Sequence, residues 1–283
     1  MGVSVAATLA ASGCAVYWVS DGRGPATRER AERQALRDAG TLDDLCRVAD
    51  VIFSVCPPHA AEDVARSVAA HSFRGLFVDA NAIAPDRTRR IGAMMEAAGA
   101  AFVDGGVVGG PPSGPGETWL YLSGTRAEDA AALLGAGPIE TEVLGESTGT
   151  ASALKMCYAA YTKGTTALLS AILGTSEQLG VREALMRQWA RDWPELPAQA
   201  ERRATRVTAK AWRFAGEMRE IAETFRSAGL PGGFHEAAAE LYARIARFRN
   251  APEVPGLDEV LAALASPEAA GFESENGGEG GGA

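Results

Sequence analysis

Apolar and polar positions follow two different periods along the first half of the chain. Residues 2–12 are rich in Ala, Val and Leu and read as a helix stopped by Gly13. Ala15 to Val19 is a short apolar run of β-formers, followed by the loop Ser20-Asp21-Gly22-Arg23-Gly24-Pro25. A polar helix is predicted from there to about Ala39, ended by Gly40. Val51 to Val55 reads as a buried strand closed by Pro57 and Pro58, and the next helix runs to His71. Leu76 to Asp79 is a strand, Pro85 opens a helix that ends at Gly99, and Phe102 to Asp104 is another strand. Trp119 to Ser123 and Glu140 to Leu144 bracket a short Ala-rich helix. Strands alternating with helices predict an α/β fold, a doubly wound parallel sheet covered on both faces.

The pattern then turns wholly helical. From Thr150 to about Leu179 a stripe recurs through Leu154, Cys157, Tyr158, Tyr161, Leu168, Leu169, Ile172 and Leu173. Further helices are expected, notably Ala209 to Ala228 and Gly233 to Phe248. The resulting division is a nucleotide-binding region 1–148, an interdomain helix 149–180, an all-helical region 181–266 and a Gly-rich tail 267–283 too polar to bury a core.

Charge and composition narrow the function. The net charge of −9, with acidic and basic residues mixed, excludes a basic nucleic-acid surface. No apolar run reaches the roughly 18–20 residues of a membrane helix. The N-terminus lacks a charged leader and reads as the start of a domain. Cys14, Cys46, Cys56 and Cys157 form no C-x-x-C pair; three fall in apolar segments as core residues, which points to a reducing cytoplasm. His59, His71 and His235 lack metal-ligand spacing and read as surface or capping residues. Among the 27 basic residues only Lys155, Lys163 and Lys210 are lysine. Arginine keeps its proton in a protein, whereas a buried lysine gives it up. A lysine in so arginine-biased a chain is therefore a catalytic candidate.

Several segments, in one order and spacing, carry a resemblance. Met1-Gly2-Val3-Ser4-Val5-Ala6-Ala7-Thr8-Leu9 is similar to the G-x-M-G-x-x-x-A-x-x-L segment of the nicotinamide-dependent β-hydroxyacid dehydrogenases. Gly2 would be the third glycine of the dinucleotide fingerprint. The first strand and the two earlier glycines are absent, so the resemblance predicts further residues upstream. Val51 to Pro58 looks like the loop beside the nicotinamide ribose, involving Cys56, Pro57 and Pro58, and Asp79-Ala80-Asn81-Ala82-Ile83-Ala84-Pro85 resembles D-x-[SN]-x-x-x-P, with Asn81 near the nicotinamide. Asp104 to Gly110, continuing to Leu120, resembles the substrate loop D-x-x-V-S-G-G: Gly109 and Gly110 are retained, and Val108 replaces the serine.

Gly149-Thr150-Ala151-Ser152-Ala153-Leu154-Lys155 resembles G-x-G-x-x-x-K, which would make Lys155 the general acid/base. The family's Asn four residues later is Ala159, and Lys163 is expected at the surface. Ser20 stands where an acidic residue would bind the ribose hydroxyl of NAD, with Arg23 close enough to meet a 2′-phosphate; the reading is NADP, with NAD retained because Asp21 adjoins. Lys210 to Phe214, Glu217 to Ala222 and Gly229-Leu230-Pro231 resemble the helical C-terminal domain of bacterial phosphogluconate-dehydrogenase-like proteins, with Glu217, Met218 and Phe225 as possible cleft residues. The resemblance implies a small-molecule substrate, hydride transfer and a homodimer. A non-catalytic binding protein and an imine reductase remain as alternatives.

Overall fold

A computed structural model describes residues 1–266; the expected Gly-rich tail lies outside them. Helix α1 (Gly2–Ala11) ends where Gly13 takes a φ of +84°, with Gly13 N–H donating to Ala10 O and Cys14 N–H to Leu9 O. Only a residue without a Cβ adopts that turn freely. Strand β1 (Tyr17–Trp18) leads into α2 (Pro25–Arg33) and β2 (Arg37–Asp38). The polar helix thus stops six residues before the expected end. Ala35 makes the helix-ending turn with a φ of +50°, and Leu36 N–H donates back to Ala31 O. No glycine announces this break.

Helix α3 (Leu42–Val48), capped by Thr41, precedes β3 (Val51–Ser54), α4 (Ala61–Ala70) and β4 (Leu76–Asp79). Helix α5 (Pro85–Ala97), β5 (Ala101–Val108), β6 (Thr118–Ser123), α6 (Ala127–Ala132) and β7 (Ile139–Val143) complete the α/β part. The helices that follow are α7 (Thr150–Gln178), α8 (Arg182–Asp192), α9 (Leu196–Arg206), α10 (Thr208–Ser227), α11 (Gly233–Ile245) and α12 (Leu257–Ala265).

The strands form two sheets. β1 and β2 pair in parallel by themselves, and β3-β4-β5-β6-β7 form a second sheet in sequence order. The expected all-parallel arrangement is corrected at one seam: β5 and β6 are antiparallel, since only nine loop residues join them and a parallel crossover needs about a dozen. Successive residues of β4 face opposite ways into two apolar layers. Leu76 and Val78 pack with Val5, Val103, Leu120, Leu122 and Ile139; Phe77 packs with Ile52, Val68, Ile83, Ile91, Met95 and Phe102. All four β4 residues are buried, as a strand covered on both faces requires.

The described chain separates into two compact units. The first comprises Met1–Gly164 with Gly216–Glu236; the second comprises Thr165–Ala215 and the described residues from Ala237 on. Within the second, α9 packs against α8 and α12, with Trp189, Ala200, Ala204, Val260, Leu261 and Leu264 buried. Arg182 pairs there with Glu177 and Asp258. No helix among the described residues is long and apolar enough to cross a membrane.

Candidate active site

Cys56, Pro57, Pro58, Asn81, Val108, Gly109 and Gly110 lie at or just beyond the C-terminal ends of β3, β4 and β5, the ends at which open α/β sheets bind ligands. Ser54, Asp79, Asp104 and Ser123 are register neighbours across four strands, forming one buried polar row across the sheet.

Asp104 does the most with its position. One carboxylate oxygen accepts from Gly149 N–H, Ser152 N–H and the Ser123 hydroxyl, each at 3.0 Å; the other accepts from the Ser152 hydroxyl at 2.6 Å. Ser123 Oγ in turn accepts from Ala151 N–H at 3.1 Å. The free N–H groups at the start of α7 are thus satisfied by a strand residue some 48 positions earlier. A carboxylate there also opposes the positive end of the helix dipole. Burial pushes the Asp104 carboxyl above its usual range while these hydrogen bonds pull it back.

Lys155 stands one turn into that anchored helix. At Gly106 β5 approaches it without a side chain: a Cβ there would lie 2.6 Å from Ala151 O and 3.0 Å from Lys155 Cβ. Glycine therefore permits α7 to lie directly on the strand, and Ala151, fully buried, keeps the helix side equally slim. Burial, and after it the Lys163 charge, lower the Lys155 ammonium from the ordinary lysine value to about 8, with Glu217 opposing. Ala159, one turn beyond, is buried and apolar, so nothing polar accompanies Lys155 there.

Asp79, beside Asp104, is nearly inaccessible. Its Oδ1 accepts from Asn81 N–H at 2.9 Å and its Oδ2 has no hydrogen-bond partner. Burial raises this carboxyl to about 7, and the Asp104 charge adds to the rise.

Asn81 is engaged on both ends of its amide. Oδ1 accepts from Cys56 N–H at 2.6 Å and Nδ2 donates to Ser54 Oγ at 3.0 Å. Gly2 is near this group: its Cβ position would lie 3.7 Å from Val55 Cβ. Gly2, Cys56 and Asn81 are thus brought together, with Pro57 and Pro58 continuing from Cys56. Burial pushes the Cys56 thiol up to about 11, which keeps it protonated. No side chain caps α1 at Met1 and its first turn holds no acidic residue, an environment suited to an anionic pyrophosphate.

Ser20 and Arg23 form a separate group on the loop after β1. Ser20 is buried and Arg23 exposed. Arg28 clamps the turn by donating to Ser20 O at 2.9 Å and Arg23 O at 3.1 Å, which adds a second cation to the loop. Asp38 on β2 is held below the usual carboxylate range by Gly40 N–H and the Ser20 hydroxyl. Val108 ends β5 paired with Trp119, while Gly109, at a φ of +110°, and Gly110 are exposed on the following loop. Glu117 braces that loop by accepting from Ser113 N–H and Oγ, both at 2.8 Å.

Three expectations are corrected here. Lys163 is no surface lysine: it forms an ion pair with Glu217 in which both side chains are 12% exposed. His235 is buried, with Nδ1 unpartnered and the ring edge-on to Phe225 and Phe234. Burial lowers its pKa, so the ring favours the neutral form. The cysteines lie at the edge of the core, not within it: Cys46 and Cys56, half-buried, pack against an apolar cluster, Cys14 is half-buried and Cys157 is exposed. Met218 is fully buried, while Phe225 is half-buried. Sequence reasoning assigned no role to Asp79, Asp104, Ser123, Ser152, Arg28 or Glu220. Glu220 accepts from Ala84 N–H at 2.8 Å and pairs with Arg87 at 2.6 Å, tying α10 to the start of α5.

Comparison with known proteins bears on the fold and its domains. Residues 1–134 match the NAD binding domain of 6-phosphogluconate dehydrogenase, and residues 177–245 match a domain of unknown function, DUF1932. An uncharacterized 28.5 kDa protein of Methanothermus fervidus is 27% identical over 165 residues, 58% of this chain and 63% of that protein's length. A conserved hypothetical protein from Sinorhizobium meliloti is 26% identical with a TM-score of 0.66, covering 93% of this chain and 92% of its own. The 3-hydroxyisobutyrate dehydrogenase of Mycobacterium tuberculosis shares the fold, at 17% identity and a TM-score of 0.65 over 94% of this chain and 96% of its own. The chain therefore joins a Rossmann-type NAD-binding domain of the 6-phosphogluconate dehydrogenase family to a helical DUF1932 domain.

Proposed function

We propose that this protein is an NADP-preferring oxidoreductase that interconverts a small hydroxyacid-like alcohol and its carbonyl compound. The observation that carries this reading is Lys155, a half-buried ammonium lowered to about 8, fixed on a helix whose start is clamped by Asp104. Residues 1–148 hold the nucleotide, the helix of 149–180 carries the proton donor, and residues 181–266 form the helical part. The start of α1 at Gly2 receives the pyrophosphate, Ser20 and Arg23 receive the adenosine ribose and its 2′-phosphate, and Cys56, Pro57, Pro58 and Asn81 line the nicotinamide end. Nicotinamide supplies the hydride in reduction and accepts it in oxidation. Lys155 donates a proton to the carbonyl oxygen in the first direction and removes the hydroxyl proton in the second. Backbone N–H groups of Val108, Gly109 and Gly110 hold the substrate's anionic end, with no serine hydroxyl to assist. The chain works as a homodimer, which sedimentation analysis tests.

Replacing Lys155→Met tests the reading. Turnover should fall on the order of 10²–10⁴-fold while NADPH affinity stays within a few-fold. Near-parental turnover removes Lys155 from the chemistry; absence of NADPH binding in the parent chain favours a non-catalytic binding protein. Imine reduction is the second reading, favoured by the buried, apolar Ala159 beside Lys155. A cyclic imine reduced faster than any 2- or 3-oxoacid decides for it.

A further inference from the structure

The loop from β4 to α5 carries Asn81 and is held at both ends. At its start Asn81 N–H donates to Asp79 Oδ1 at 2.9 Å, and the Asn81 amide joins Cys56 N–H and Ser54 Oγ at 2.6 and 3.0 Å. At its end Ala84 N–H donates to Glu220 Oε2 at 2.8 Å, and Arg87 donates to Glu220 Oε1 at 2.6 Å. Ile83 and Ala84 are buried, so water is no substitute for that carboxylate. Ala84 is the N-cap of α5 and has no side chain able to cap it. A helix start is ordinarily capped by its own Ser, Thr, Asp or Asn; here the acceptor comes from α10, 136 positions away. That helix is itself seated: Glu217, one turn before Glu220, pairs with Lys163 of α7, and Met218, Ile221 and Ala222 are fully buried. Gly216–Glu236 accordingly belongs to the same compact unit as the α/β part, although it falls within the DUF1932 match.

We propose that Glu220 is a positioning residue: by holding the end of the β4–α5 loop it fixes Asn81 for the nicotinamide end of the cofactor. A loop tethered at one point turns about that point, whereas a second tether gives it one path. Glu220 is 15% and Arg87 19% exposed, so solvent screens the pair little and its geometry is kept. Arg87 is shared with Glu62 of α4, at 3.7 Å, which holds the guanidinium from the other side. The Glu220 carboxylate also faces the positive end of the α5 dipole. The helical domain thus contributes a residue to the frame of the cofactor site. The inference rests on the reading of Asn81 as a nicotinamide-end residue.

Amide exchange of the full ¹⁵N-labelled chain, without nucleotide, is the first test. Cys56 N–H donates to Asn81 Oδ1, so its exchange with solvent reports whether Asn81 keeps its place. In Glu220→Ala that exchange should quicken about ten-fold or more, while the amides of Leu76 to Val78 in β4 stay within about two-fold of the parent. Glu220→Gln, which keeps an oxygen for Ala84 N–H, should return Cys56 toward the parental rate. Nucleotide titration then separates positioning from a general loss of stability. Glu220→Ala should bind NADPH about five-fold or more weakly, and 2′-phospho-ADP-ribose, which lacks nicotinamide, within about two-fold of the parent. If Glu220→Ala does not fold, the double replacement Glu220→Leu with Arg87→Leu removes the same acceptor without stranding a buried charge, and the same results are expected. Unchanged Cys56 exchange in a folded variant, or equal weakening of both nucleotides, overturns the proposal. A parent chain that binds neither nucleotide overturns the dehydrogenase reading instead, and Cys56 exchange still decides whether Glu220 holds Asn81.

Discussion

Asp104 and Ser152 are joined twice across 48 positions of sequence: the Ser152 hydroxyl donates to Oδ1 at 2.6 Å and its backbone N–H to Oδ2 at 3.0 Å. The strand at the sheet's antiparallel seam thereby grips the first turn of the helix that carries Lys155. Replacing Ser152→Ala leaves Oδ1 of a buried carboxylate without that donor and removes the partner of the Thr88 hydroxyl at 2.8 Å. A loss of about 1–3 kcal/mol is expected, measured as a lower urea midpoint with an unchanged slope. Because Lys155 follows one turn later, turnover should fall while NADPH affinity is retained. Equal stability in the variant would show that the Asp104 clamp does not hold the helix.

The proton carried by Lys155 sets an expected pH dependence. With a value of about 8, the ammonium form predominates below that pH and the free amine above it. Carbonyl reduction needs the proton present, so kcat/KM should be level at lower pH and fall above about 8. Alcohol oxidation needs the amine, so its kcat/KM should rise through the same region to a plateau. Profiles measured in both directions on one preparation check the pairing; the same limb in both directions would exclude Lys155 as the shared group.

Cofactor choice is tested at the turn after β1. Arg23→Ala removes an exposed cation while Arg28 still clamps the loop backbone at Ser20 and Arg23. NADPH binding should weaken roughly ten-fold more than NADH binding, as loss of one charge-assisted phosphate contact implies. Fluorescence titration with both nucleotides measures this. Parallel losses would make Arg23 a turn residue only.

Asp79 should make the fold more stable in acid than near neutrality. Its carboxyl holds a proton to about 7 in the folded chain, against 3.8 ordinarily. Between these values the unfolded state has lost the proton and the folded state has not. The contribution is therefore fully present below 3.8 and is lost as pH rises through about 7. Asp79→Asn keeps the acceptor for Asn81 N–H and cannot ionise, so it should raise Tm at pH 8 by more than at pH 5. A gain independent of pH would assign the effect to packing instead of charge.

Much of the α/β order was legible because it is local. Leu76-Phe77-Val78 must be buried on both faces, Pro85 is suited to a helix start, and Gly13 and Gly99 end helices through positive φ. Where the local signal was missing, reading failed. Helix α2 ends at Ala35 with a φ of +50°, a conformation an alanine does not advertise, so β2 was absorbed into the helix. Lys155 was singled out from its place after Gly149 and from the scarcity of lysine. The burial of Lys163 could not, because its partner Glu217 is 54 residues away.

What the sequence determined by itself is most of the alternation of elements and the division into an NAD-binding α/β part and a helical part. Those properties follow from backbone preference and from apolar periodicity, which act over a few residues. Tertiary structure alone decided the antiparallel seam at β6, the polar row from Ser54 to Ser123, the Asp104 clamp on α7 and the Lys163–Glu217 pair. Each of these joins residues distant in the chain. Buried charge is tolerable only where donors or an opposite charge converge from separate elements, and that convergence exists only in the folded chain.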